Sequence, residues 1–151
     1  MDENVVDIVV LERRKEALAF VGLAHGWQDT GSVLKVRMRG EAPEVVPLLE
    51  LDTAPQAVVA ENGDTALLLT NDRLRRIGSD GTAVDLCAVN YQALYPRSLV
   101  LAPSGAVYVG MRHYVGRIWP GVASRRCIAE WFVPDGCRRF AAKDLDCVCT
   151  K

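Results

Sequence analysis

The stretch Pro55–Ile77, PQAVVAENGDTALLLTNDRLRRI, is answered by Pro96–Ile118, PRSLVLAPSGAVYVGMRHYVGRI. Both ends give the same offset, since 96 − 55 = 118 − 77 = 41. Across it Pro55 meets Pro96, Val58 meets Leu99, Val59 meets Val100, Leu68 meets Val109, Leu74 meets Val115, Arg76 meets Arg117 and Ile77 meets Ile118. Asn62-Gly63-Asp64 falls where Pro103-Ser104-Gly105 falls in the second copy, so a strand, a tight turn and a strand recur in the same order.

Working outward, period-2 alternation and turn residues divide the chain into three groups of four strands. The first is Val5–Leu11, Ala17–Leu23, Ser32–Met38 and Glu44–Leu49; the second is Gln56–Ala60, Thr65–Thr70, Arg73–Ile77 and Ala83–Cys87. The third is Arg97–Leu101, Ala106–Met111, Tyr114–Ile118 and Cys127–Val133, followed by a tail from Pro134 to Lys151. No segment carries a sustained helical stripe, although Glu12–Phe20 and Val89–Leu94 are each long enough for a helical turn. A unit of about 40–45 residues built from short strands is the size of one four-stranded propeller blade. The expected fold is therefore all-β: three consecutive four-stranded antiparallel blades, a partial or open β-propeller-like array, in one domain spanning residues 1–151 with a short C-terminal tail.

Three blades do not close a ring, which takes about four to eight. The tail and the Val5 strand must cover the open edges, or the blades collapse into a sandwich, or a second copy or another protein completes the surface.

Composition narrows the functional classes. The chain has 151 residues, 50% hydrophobic and 25% charged, as in an ordinary globular domain. Eighteen basic against nineteen acidic residues leave a net charge of −1, so no global field draws it to nucleic acid or to an anionic membrane. The acidic start Met1-Asp2-Glu3-Asn4 and the short apolar run after it do not make a signal peptide, and no apolar stretch is long enough for a membrane span. A cytoplasmic address is expected, where thiols stay reduced. Cys87 and Cys127 then read as small buried apolar residues, and Cys137, Cys147 and Cys149 cluster in the tail. Neither His25 nor His113 adds zinc-ligand spacing to them, so no metal and no cofactor is expected.

Two resemblances add to this reading. Ser98-Leu99-Val100-Leu101-Ala102-Pro103-Ser104-Gly105-Ala106-Val107-Tyr108-Val109-Gly110 resembles the blade core of the large bacterial propeller families, and Leu74-Arg75-Arg76-Ile77-Gly78-Ser79-Asp80-Gly81 resembles the outer hairpin of such blades. The run Val109–Ile118, followed by Glu130-Trp131-Phe132-Val133-Pro134 and Cys137, resembles small bacterial immunity proteins that pair with secreted polymorphic toxins. That second resemblance implies a short cytoplasmic protein with no catalytic residues that binds and blocks one cognate toxin.

The candidate contact residues follow from residue chemistry. Trp27 and Asp29 lie in the longest loop of the first group; Arg73 and Arg75 share one side of a strand and are expected to form a positive stripe; Arg112, His113 and Tyr114 sit at a hairpin tip. Tryptophan, tyrosine and arginine are the residues enriched at binding hot spots. No glycine-rich phosphate loop, metalloprotease motif or paired catalytic carboxylates are present, so the chain is expected not to be an enzyme. The expected function is a cytoplasmic binding protein that neutralises a protein partner, a cognate toxin. The alternative is a ligand-binding or enzymatic propeller module completed by a homodimer, with His25, Asp29 and His113 near its channel.

Overall fold

The computed structural model describes residues 3–23, 30–39, 41–88, 97–111, 115–119 and 128–132. Twelve strands run in chain order among them: β1 (Glu3–Leu11), β2 (Glu16–Leu23), β3 (Gly31–Arg39), β4 (Ala42–Leu51), β5 (Pro55–Ala60), β6 (Thr65–Thr70), β7 (Arg73–Gly78), β8 (Ala83–Ala88), β9 (Ser98–Leu101), β10 (Val107–Gly110), β11 (Val115–Trp119) and β12 (Ile128–Phe132). They form three antiparallel meanders, β1-β2-β3-β4, β5-β6-β7-β8 and β9-β10-β11-β12. The all-β expectation is borne out. The turn allowed for at Glu12–Phe20 is a tight turn that passes directly into β2.

The turns form where their side chains can hold them. Asn62 Oδ1 accepts the amides of Asp64 (2.8 Å) and Thr65 (3.0 Å), which adds to the backbone bonds that Glu61 and Asn62 donate to the Thr65 carbonyl at the β5–β6 corner. Asp80 Oδ1 does the same for Thr82 at the β7–β8 corner. Gly81 and Gly105 take φ of +90° and +86°, a region that costs other residues strain.

The 41-residue offset is visible in the pairing itself. Val58↔Leu68 and Leu67↔Arg76 in the second sheet become Leu99↔Val109 and Tyr108↔Arg117 in the third, each number raised by 41. The corner bond from Glu61 N to Thr65 O recurs as Ala102 N to Ala106 O.

Because alternate side chains point to opposite faces, each sheet has two. The second sheet lies between the other two. Val58, Ala66, Leu68 and Ile77 on one face pack with Val9, Leu11, Leu18, Phe20, Val33 and Leu51 of the first sheet and its exit. Ala57, Leu67, Leu69, Leu74 and Cys87 on the other face pack with Leu99, Val107, Val109 and Ile118 of the third. The first strands lie side by side, β1 against β5 and β5 against β9. Asp7, at a bulge in β1, joins two of them: its Oδ2 accepts the Val58 amide at 3.3 Å while Oδ1 accepts the Ile8 amide at 2.8 Å.

Two observations bear on the chain's surroundings. Pro43 and Pro47 lie in β4, which among the described residues pairs with β3 alone and forms the outer edge of the first sheet. Cys87, read from the sequence as a small buried apolar residue in a reducing compartment, is disulfide-bonded; its partner lies outside the described residues. Alternation places Cys87 correctly on a buried face but is blind to a bond made across the chain. Among the described residues no helix is long and apolar enough to cross a membrane.

Candidate functional site

Which strand ends share a rim follows from contacts between sheets. Arg13 and Arg14, in the β1–β2 turn, bond both carboxylate oxygens of Asp64 in the β5–β6 turn, at 3.1 and 2.8 Å. These two turns therefore lie on one rim. At the opposite rim β3 begins at Gly31, where a Cβ would meet Pro55 Cδ and the Val21 carbonyl at 2.6 Å each. Pro55 opens β5 and pairs with Thr70 at the end of β6. The β2–β3 and β6–β7 connections thus leave from this second rim.

Arg73 and Arg75 stand there in β7. Arg75 donates from Nη1 and Nη2 to the two oxygens of Asp52, at 2.7 and 3.2 Å, and from Nε to Asp85 Oδ1 at 2.7 Å. Arg73 donates from Nε to Asp72 Oδ2 at 2.7 Å, with a second contact from Nη2, and from Nη1 to Asp85 Oδ2 at 3.1 Å. Buried Thr70 completes the corner: its hydroxyl donates to Asp72 Oδ1 at 2.7 Å and accepts the Arg73 amide at 3.2 Å.

This geometry corrects the expected positive stripe. Two arginines meet three carboxylates, so the cluster sums to 2 − 3 = −1. The arginine side chains are 29% and 11% exposed, whereas those of Asp52 and Asp85 are 58% and 55% exposed. Asp52 and Asp85 are thus the most exposed side chains of the cluster, and Asp72 at 33% is close to Arg73. The Arg75 hydrogen bonds hold Asp52 below the usual carboxylate range. Burial works against the charge on Asp72, but hydrogen bonds from Arg73 and Thr70 outweigh it and keep its titration low. Such a cluster carries more carboxylates than guanidinium groups, and it offers acceptors to a donor-rich surface.

Of the sequence candidates, Trp27, Asp29, Arg112, His113 and Tyr114 lie outside the described residues. The structure therefore brings together only Arg73 and Arg75. Sequence reasoning missed Asp52 and Asp85, which do not belong to any run of charges; the one signal was that β7 presents two arginines on a side that also packs on a neighbouring sheet. Among the described residues no group of histidine, cysteine and carboxylate side chains could hold a metal.

A scan against protein-family models finds no match to this chain, and a search of the curated proteins returns no relative.

Proposed function

We propose that the chain is a protein-binding module whose three sheets are the blades of an open propeller-like array and whose β2–β3 / β6–β7 / β10–β11 rim recognises a partner. The blade reading is supported by three in-order meanders with adjacent first strands and by registers that recur at 41 residues. Sheets two and three use equivalent positions to pack on the sheet before them, so the end of β10 and the start of β11 lie at the same rim as their counterparts in β6 and β7. Trp27 and Asp29 fall in the first of these connections, Asp72 and Arg73 at the second, and Arg112, His113 and Tyr114 in the third.

The observation that carries the reading is the Asp52–Arg75–Asp85–Arg73–Asp72 cluster on this rim, in which both arginines are paired within the cluster and Asp52 and Asp85 are the most exposed side chains. The favoured partner is a protein with a basic contact surface, held by charge-assisted hydrogen bonds and anchored by the loop aromatics. The specific form we propose is an immunity protein that occludes a cognate secreted toxin and performs no chemistry itself. A cytoplasmic address goes with it; the Cys87 disulfide pulls the other way, towards an oxidising compartment.

The test is to co-express the chain with the product of each neighbouring reading frame and to look for one that is toxic when expressed alone. Protection of growth and a stable complex are expected, with affinity lowered about tenfold or more by Asp85→Lys and by Trp27→Ala in folded protein. A complex indifferent to both substitutions removes the rim, and no protection removes the immunity role.

A further inference from the structure

Among the described residues the first and third sheets each leave one face without a sheet on it. On the first, two complete rows cross all four strands with apolar side chains alone: Ile8–Ala19–Leu34–Pro47 and Val10–Ala17–Val36–Val45. Ile8, Val10 and Val45 are 55%, 60% and 54% exposed. A contiguous apolar surface of this kind marks an interaction site.

The third sheet's other face bears Val100 and Val115, 58% and 37% exposed, with half-buried Tyr108 and Arg117 beside them. Subtracting 41 gives Val59, Leu67, Leu74 and Arg76, which lie on the face of the second sheet that covers the third. The open face of sheet three is thus the face each sheet uses towards its successor. The open face of sheet one is the face that receives a predecessor, because its other face already packs on sheet two.

We infer that a second copy of this chain completes the array, the open face of sheet three in each copy seating on the open face of sheet one in the other. The inference rests on the blade-array part of the reading above and not on the partner. Continuity with the two internal sheet-to-sheet contacts selects this occupant: a head-to-tail contact that repeats the same step closes when the rotation returns to the start. Two chains of three sheets make six, within the range of about four to eight at which such rings close. Each copy would contribute both kinds of face, so the assembly contains two identical new contacts, and its centre is lined by β1, β5 and β9 of both.

Sedimentation equilibrium of the chain alone tests this. The parent is expected at twice 16.6 kDa at tens of micromolar. Ile8→Glu and Val100→Glu, both at exposed positions, are each expected to be folded monomers, because either substitution damages both contacts. Mixed together they should return to the two-chain mass, since one contact then joins two undamaged faces. A monomeric parent, a Val100→Glu protein that stays dimeric, or a mixture that stays monomeric overturns the inference. Should Ile8→Glu fail to fold by circular dichroism, Val45→Glu on the outer edge probes the same face. The readout needs no partner, so its failure leaves the rim proposal standing, and failure of partner binding leaves the mass unchanged.

Discussion

Asp52, in the link between β4 and β5, clasps the guanidinium of Arg75 in β7 through both carboxylate oxygens. The pair ties the entry of the second sheet to its third strand. Only Arg75 is buried, at 9% exposure, while Asp52 reaches water. Removing one partner therefore differs from removing the other. Asp52→Ala leaves a buried guanidinium with Asp85 as its remaining anion and is expected to cost about 1–2 kcal/mol. Arg75→Met leaves a solvated carboxylate and an apolar side chain against Leu68 and is expected to cost less. Urea unfolding of both variants checks the order.

Acid should unfold this protein from a defined set of carboxylates. Asp52, Asp72 and Glu61 titrate below their ordinary values, 3.8 for aspartate and 4.5 for glutamate. For Glu61, burial opposes ionisation and hydrogen bonds from Arg76 and Thr65 prevail. A depressed folded value means that the unfolded chain takes up the proton first as pH falls. The stabilisation is fully present above the unfolded values and is lost as pH drops through the lower folded ones. Unfolding midpoints between pH 7 and 3 should fall over that interval, and less steeply in Arg76→Gln, where Glu61 loses its bidentate partner.

Matched truncations should separate packing from position. Leu68→Ala, fully buried against the first sheet, and Val109→Ala, its counterpart 41 residues on, should both destabilise, by about 2–5 and 1–3 kcal/mol. Val100→Ala, 58% exposed, should stay within about 0.5 kcal/mol in dilute monomeric protein. Thermal or urea denaturation at low concentration reads all three.

The Cys87 bond makes stability depend on redox state. Reduction should lower stability by about 2–4 kcal/mol. A thiol count in denaturant without reductant should give at most three, since five cysteines less the bonded pair leave 5 − 2 = 3. A count of five in protein taken directly from cells would place the working form with reduced thiols.

The strands were legible because their cause is local. Thr65–Thr70 carries the expected boundaries, and the others shift by at most two residues at either end, as where β4 runs Ala42–Leu51 instead of Glu44–Leu49. The repeat was legible for the same reason: Val58, Leu68 and Ile77 recur as Leu99, Val109 and Ile118 because each set fills the space between its own sheet and the one before it. The candidate site was legible only in part. Charge pattern found Arg73 and Arg75 but not that Asp52, 23 residues before Arg75, holds it, because that pairing is set by how the link folds over the sheet. The bond at Cys87 escaped for a related reason, as nothing in a buried alternating strand distinguishes a free thiol from a bridged one.

The prolines of β4 carry a last consequence. Pro43 and Pro47 cannot donate backbone hydrogen bonds, and they interrupt the row of amides that a foreign strand would need. Two donors fewer along that border disfavour lateral growth into fibrils, so crowded solutions of the protein should associate through side-chain surfaces and dissolve again on dilution.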